Sequence, residues 1–309
     1  MLQACTQDEA ISKSLSKERI CAVIVTYHPD ADFPQRTARI AGQVGGLVIV
    51  DNHSNSRAVT MLRETCSQLN AHLILNDDNL GIATGLNLGV RWAKEQGYSW
   101  ALTLDQDTGP AEFMVETLLG VYEALNENEK DRIAIIGSGY LDASSQRCSF
   151  LQVHVPNGQP WVETKTVITS GSLVSIAAFE TIGRFRDEFF IDFVDIDYCL
   201  RASSKGYRVL LACKPLMQHS IGAMTVHRLP WKQTGTSNHS ELRLYYMARN
   251  LTVLIQEYLF REPALILHLL FSRLKSTILM CLFEERKLAK LIFTAEGIFD
   301  GLTRNFKRK

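Results

Sequence analysis

Ile20-Cys21-Ala22-Val23-Ile24-Val25-Thr26 is an unbroken apolar run, rich in β-branched residues, that stops at Tyr27-His28-Pro29. A strand that is apolar on both faces is buried on both, as in a parallel sheet covered by helices. Working outward, three further runs share this character: Leu47–Val50 (LVIV), His72–Leu75 (HLIL) and Ala101–Leu104 (ALTL). A helical pattern, Ile82–Glu95, fills one of the intervals. The alternation predicts an α/β fold, a doubly wound and mostly parallel sheet with helices on both faces. All four runs end in polar residues: Thr26-Tyr27, Asp51-Asn52, Asn76-Asp77 and Asp105-Gln106-Asp107. Open parallel sheets bind ligands at the carboxyl ends of their strands. One polar tip is an ordinary turn; four together predict a lined crevice.

Beyond Pro110 the pattern loosens. Arg132–Gly137 and Tyr207–Ala212 are strand candidates, and Cys148–Val155 with Trp161–Ile168 reads as a hairpin pair about Asn157-Gly158. Ser175–Ile182 and Val194–Ser204 read as short helices, His239–Phe260 as a long one, with further helices from Pro263. Three regions follow: a flexible extension over 1–18, the α/β domain over 19–235, and a helical, membrane-associating region over 236–309.

With 46% hydrophobic and 21% charged residues, the chain falls in the globular class and outside the disordered one. A formal net charge of zero argues against a nucleic-acid partner. The positive excess is local: from Arg261 to Lys309, ten Lys+Arg stand against five Asp+Glu. The seven cysteines are odd in number and form no C-x-x-C pair, which disfavours zinc and a disulfide framework. Reduced, mostly buried thiols of a cytoplasmic protein are expected. Met1–Arg19 lacks the apolar core of a signal peptide. No stretch reaches the roughly 18 consecutive apolar residues of a spanning helix, so the chain is expected to lie on a membrane or stay off it.

Four constellations carry chemistry. Asp105 and Asp107, at i and i+2 past a buried strand, suit a hard divalent cation, Mg²⁺ or Mn²⁺, able to bridge phosphate oxygens. Alone, the pattern is common in exposed turns. Asn79-Leu80-Gly81 through Asn87-Leu88-Gly89 is a small-residue helix start that favours an anion, or a helix cap with a close-packing face. It is neither a Walker loop nor a dinucleotide fingerprint. Asp192, Asp195 and Asp197 stand among aromatic and apolar neighbours. One of them is expected to cap a helix, another to have the raised pKa of a general base, and Asp197 is positioned to pair with Arg201. His219, in Gln218-His219-Ser220-Ile221-Gly222, is a structural hydrogen-bonding residue or a metal ligand beside Asp107.

In this order the motifs resemble glycosyltransferase family 2, the inverting GT-A fold. The series comprises Val25-Thr26-Tyr27, Val50-Asp51-Asn52-His53-Ser54, Asn79-Leu80-Gly81, Asn87-Leu88-Gly89, Asp105-Gln106-Asp107, Ser170-Gly171, Val194 to Arg201, and His219-x-x-Gly222. It covers about Ile20 to Arg249. Leu104-Asp105-Gln106-Asp107 and Phe190-Ile191-Asp192 with Asp195-Ile196-Asp197-Tyr198 bring the likeness closest to bacterial rhamnosyltransferases of O-antigen and cell-wall polysaccharide assembly. The resemblance implies that Thr26, Tyr27 and Asp51, with Asn52, hold the base and ribose of a nucleotide-sugar. It implies that Asn79, Gly81, Asn87, Ser170 and Gly171 shape the pocket, and that Asp105 faces the ribose or donor sugar. Asp107 and His219 would bind Mg²⁺ or Mn²⁺, Asp195 would be the general base, and Arg249 in Tyr245-Tyr246-x-x-Arg249-Asn250 would lie near the diphosphate or acceptor. Many members carry Glu before the base where this chain has Val194, so Asp192 and Asp197 stay open as alternatives. The implied reaction is one in-line, inverting displacement from dTDP-rhamnose to a lipid-linked saccharide, with no covalent intermediate.

Leu267, Leu270, Phe271, Leu274, Ile278, Cys281 and Leu282 fall on one helical stripe, opposite His268, Ser272, Lys275 and Ser276. The stripe suits packing on the α/β domain or, with the basic end Arg304–Lys309, the cytoplasmic face of an anionic inner membrane. A second copy of the chain is a further occupant. Two rivals to transfer remain: a sugar nucleotidyltransferase, disfavoured because Tyr27-His28-Pro29-Asp30 stands where a basic Gly-rich loop is usual, and a non-catalytic nucleotide-sugar binder.

Overall fold

The computed structural model describes residues 15–142, 159–219, 225–229 and 232–307. They form two compact units: residues 1–185 with 198–220, and residues 186–197 with 221–309. The hairpin half at Cys148–Val155, its Asn157-Gly158 turn, the extension Met1–Ser14 and Ser220–Gly222 lie outside the described residues.

In chain order, the strands of the first unit are β1 (Ile20–Thr26), β2 (Gly46–Asp51), β3 (His72–Leu75), β4 (Trp100–Asp105), β5 (Gly109–Pro110), β6 (Ile133–Asp142), β7 (Trp161–Glu163), β8 (Ser172–Ser175) and β9 (Arg208–His219). Its helices are α1 (Phe33–Ala41), α2 (Ser56–Leu69), α3 (Gly81–Glu95), α4 (Met114–Glu123), α5 (Glu127–Lys130) and α6 (Ile176–Ile182). α7 (Val194–Ser204) begins in the second unit and ends in the first.

The sheet order is β3-β2-β1-β4-β8-β6-β9-β5, with β7 also on β9. β1 is buried along its whole length and pairs in parallel with β2 and β4, and β3 with β2. This is the parallel half expected from the apolar runs. The other half is mixed: β8 lies antiparallel between β4 and β6, and β5 and β7 run antiparallel to β9. Strand order is a matter of long-range pairing, which local periodicity does not carry. Trp161–Glu163 pairs with β9 at Ala212, and β9 runs on to His219, well past the closing strand expected at Tyr207–Ala212.

Local chemistry fixes the element ends. Asn55 caps α2 by accepting from Ala58 N at 3.0 Å, and Asn70 ends it in the left-handed region. α3 lies close on β1: a Cβ at Gly85 or Gly89 would come within 2.7 or 2.2 Å of Val25 or Val23. Gly85 and Gly89 therefore form a packing face. Cys21, Cys66 and Cys199 are buried thiols outside any disulfide, and burial pushes the Cys21 thiol up to about 12.

The second unit contains the hairpin β10 (Thr225–Leu229) and β11 (Lys232–Thr236), then α8 (Glu241–Tyr258), α9 (Pro263–Phe283) and α10 (Lys287–Leu302). Ser240 caps α8, accepting from Arg243 N. α10 crosses α8 at backbone distance: a Cβ at Gly297 would sit 2.3 Å from the Tyr245 carbonyl oxygen, and one at Gly301 2.7 Å from that of Arg249. α9 buries Ile266 and Met280, while its expected apolar stripe points outward, from Leu270 at 41% exposed to Phe271 at 65%. Among the described residues α9 is the one helix long and apolar enough to cross a membrane by length and composition. A search for consecutive apolar residues passes over it because Arg273, Lys275 and the serines interrupt the run.

Candidate functional site

In the first unit the tips of β1, β2 and β4 stand side by side, with Thr26 opposite Asp51 and Val25 opposite Asp105 in the strand registers. Asp51 is 1% exposed, and its carboxylate accepts from Thr26 Oγ1 (2.9 Å), Ser54 Oγ (2.5 Å) and Ser54 N (2.8 Å). Ser54 Oγ also accepts from His28 N at 2.7 Å, closing the cluster over the β1 tip. Tyr27, beside it, is exposed and tilted against the His28 ring. An exposed aromatic face next to a buried carboxylate can stack a base and accept from a ribose hydroxyl or base N–H.

Asn52 lies behind this tip as a buried tie. Its Nδ2 donates to the Gly81 carbonyl at 3.1 Å, and its Oδ1 accepts from Asn76 Nδ2 at 3.0 Å. Asn79 Oδ1 accepts from Gly81 N at 3.0 Å, setting the start of α3. Asn87 is buried and clips the chain at Phe185, donating to its carbonyl at 2.8 Å and accepting from its N–H at 3.0 Å. Asn52, Asn79 and Asn87 therefore build the walls rather than project from them.

At the β4 tip, Asp105 is half-buried and Asp107 exposed. Ser170 Oγ accepts from Asp105 N at 3.2 Å and shares a 2.5 Å hydrogen bond with Thr108 Oγ1. Gly171 takes a positive φ of 73°, where a Cβ would meet Ser138 Oγ at 2.4 Å. Gln106, between the two acids, binds Tyr27 at two points: its Oε1 accepts from Tyr27 N at 2.7 Å and its Nε2 donates to Tyr27 O at 3.1 Å. Arg36 on α1 donates to the Gln106 carbonyl from Nε and Nη2, and pairs with Asp30 at 2.6 Å. Burial raises the Asp30 carboxyl, but the Arg36 hydrogen bond and charge outweigh it and hold the group below its ordinary value. The backbone of Gln218 pairs with Gly109, so the end of β9 runs beside this turn. The side chain of His219 lies outside the described part of the chain.

The acidic loop belongs to the second unit. Phe190 has φ 61° and ψ −65°, the centre of a γ-turn closed by Ile191 N donating to the Phe189 carbonyl at 2.6 Å. This is the rare, strained hand of that turn. Asp192 and Phe193 follow at φ 64° each. Left-handed non-glycine residues cost on the order of 1–3 kcal/mol each and persist only where their surroundings over-determine them. α7 then opens with Asp197 N donating to the Phe193 carbonyl at 2.9 Å, which places half-buried Asp195 in its first turn. Asp192 is held bidentate by Arg243, at 3.0 Å on each oxygen. Asp197 is fully buried and pairs with Arg186 at 3.0 Å, and Arg186 also binds Glu257. Arg201 donates to the carbonyls of Ile182, Gly183 and Arg184 at the end of α6.

Arg249 is 0% exposed. Its guanidinium lies 4.8 Å over the Tyr246 ring and donates to Asn250 Oδ1 and the Glu188 carbonyl. Its charge is thus held inside the helical unit. The sequence reading did not single out Ser54, Gln106, Arg36, Arg243 or Asn250 as site residues. Gln106 and Asn250 stood inside quoted motifs, but their partners are distant in sequence, 79 and about 60 residues away.

Residues 21–151 match glycosyl transferase family 2. The chain is 31% identical over 251 residues to the dTDP-rhamnosyl transferase RfbF of Shigella flexneri, covering 77% of this chain and 80% of that protein. Among solved structures it resembles the mannosyltransferase PcManGT of Pyrobaculum calidifontis in complex with GDP-Man and Mn²⁺, with a TM-score of 0.58 at 13% identity over 95% of this chain and 89% of that one. It also resembles residues 1–349 of S. aureus TarS in complex with UDP-GlcNAc, with a TM-score of 0.55 at 13% identity over 92% of this chain and 80% of that one. Of the longer TarS structure the chain spans 44%. At these identities the structural likenesses establish the fold.

Proposed function

The chain belongs to glycosyl transferase family 2, and from that premise we propose that it moves L-rhamnose from dTDP-rhamnose to a lipid-linked saccharide in one inverting displacement. The observation that carries this reading is the hydrogen-bonded tip cluster Thr26–Asp51–Ser54 with the Asp105-Gln106-Asp107 turn tied to Tyr27. The 31% identity to a dTDP-rhamnosyl transferase supports rhamnose as the donor sugar.

In this reading Tyr27 stacks the thymine and Asp51 fixes the nucleoside. Asp105 and Asp107 face the donor diphosphate and sugar. Asp195 accepts the proton of the acceptor hydroxyl as its oxygen bonds to the anomeric carbon and the bond to the diphosphate breaks. Both electrons of that bond leave with dTDP. Asp195 takes this role from its place in the first turn of α7, where its Oδ1 accepts from Ile196 N at 2.8 Å. Among the described residues no three His, Cys, Asp or Glu side chains converge on one point. The two acids of the turn nevertheless suit a hard Mg²⁺ or Mn²⁺ that completes its shell with water and phosphate oxygens, and the β9 end beside them supports His219 as a further ligand. Such an ion would supply charge for the departing diphosphate.

The outward stripe of α9 and the basic residues beyond it support a seat on the cytoplasmic face of an anionic inner membrane. The test is release of dTDP from dTDP-rhamnose with Mg²⁺ or Mn²⁺ and a membrane-lipid extract as acceptor. Turnover abolished by both Asp107→Ala and Asp195→Asn is the expected result. Turnover with a different nucleotide-sugar would overturn the rhamnose assignment, and donor binding without turnover of any donor would favour a non-catalytic binder.

A further inference from the structure

We infer that Asn250 is a positioning residue that holds the strained acidic loop and thereby fixes where Asp195 stands; this rests on the reading of Asp195 as the base. Asn250 is 0% exposed, on α8. Its single amide nitrogen donates to three carbonyls of one loop: Phe189 at 2.8 Å, Ile191 at 2.9 Å and Asp192 at 3.0 Å. These three oxygens bracket the γ-turn at Phe190 and the left-handed Asp192. One buried nitrogen within 3.0 Å of all three oxygens ties these dihedrals together.

The amide is itself oriented. Its Oδ1 accepts from Arg249 Nε and Nη2, both at 3.1 Å, which fixes the NH₂ end toward the loop. Arg249 Nη2 also donates to the Glu188 carbonyl, one residue before the clamped segment. Arg243 takes the Asp192 carboxylate from the same helix. Arg243, Arg249 and Asn250 thus grip residues 188–192 from one face of α8. Phe193 follows directly and accepts the first hydrogen bond of α7, so the loop decides the angle at which that helix starts. Asp195 is two residues further on, and each residue turns the helix by about 100°. A loop that relaxed or an α7 that began one residue later would aim this carboxylate elsewhere.

The experiment uses the full chain with dTDP-rhamnose and lipid extract, calorimetric binding of dTDP, and native-state chymotrypsin cleavage after Phe189, Phe190 or Phe193. Asn250→Ala is expected to lower kcat about 10²-fold, to leave the dTDP Kd within about twofold, and to open the loop to cleavage. Asn250→Asp keeps the shape and loses the donor, and is expected to behave alike. A folded Asn250→Ala protein with wild-type kcat and an uncut loop overturns the inference. Should that variant fail to fold, Arg243→Ala at a partly exposed side chain is expected to lower kcat at unchanged dTDP Kd, and a wild-type kcat there overturns it equally. Asp195→Asn runs alongside: full turnover in that variant removes the base reading, while the cleavage pattern still decides whether Asn250 holds the loop.

Discussion

Asp51 sits at the end of a buried strand with three hydrogen bonds on two oxygens, and two of those donors come from Ser54. Asp51→Asn turns one acceptor into a donor that faces an N–H or hydroxyl. A loss of about 2 kcal/mol in urea unfolding is expected, with weaker dTDP binding. Unchanged stability would mean that the carboxylate's charge is not used in the fold. Glu257 gives a residue-level pH prediction. Burial raises its carboxyl, but hydrogen bonds and charge from Arg186 and Arg304 outweigh this and hold it below its ordinary 4.5. Its contribution to stability is therefore complete above the unfolded value and is lost as the pH falls through the lower folded one. Glu257→Gln is expected to lower Tm at neutral pH, with the gap to wild type closing in acid below pH 4.5; a gap constant with pH would refute the assignment. Asp51, Asp105 and Asp107 were legible because a polar residue directly after an apolar strand is a local signal. Gln106 was not, since an amide between two acids acquires meaning only when β1 and β4 are known to be neighbours.

At the scale of elements, α8 and α10 meet through backbone at Gly297 and Gly301. Gly301→Ala would drive a methyl group against the Arg249 carbonyl and Thr252, at an expected cost of about 1–3 kcal/mol. Burial, and after it the 2.6 Å hydrogen bond from Tyr245 Oη to Asp300, push the Tyr245 phenol up to about 12, and the same shift would strain that hydrogen bond. Thermal unfolding checks the first consequence and a tyrosine titration the second, where a phenol pKa unmoved by Gly301→Ala would argue that the helices do not separate. Helices α3, α7 and α8 were readable from periodicity and caps, within a few residues at each end. The antiparallel insertion of β8 was not, because Ser172–Ser175 is four residues long and its neighbours are 60 or more residues away on one side and about 40 on the other. The allegiance of residues 186–197 to the helical unit was equally hidden: it rests on α8 side chains gripping main-chain carbonyls, and carbonyls leave no trace in a residue pattern.

The whole chain carries no net charge, yet its helical end combines an outward apolar stripe with an excess of Lys and Arg. Phe271→Asp combined with Ile278→Asp is expected to abolish co-sedimentation with vesicles containing anionic lipid. Turnover on a detergent-solubilised acceptor is expected to be unaffected, since both side chains are more than half exposed. Retained sedimentation would shift the assignment of that face to a protein partner. Seated on a bilayer through α9, the enzyme would search for its acceptor in two dimensions. Its apparent KM for that acceptor would then follow the mole fraction of acceptor in the lipid, not its bulk concentration. Diluting the membrane with inert lipid would slow the reaction even though the amount of every reactant in the tube stayed the same.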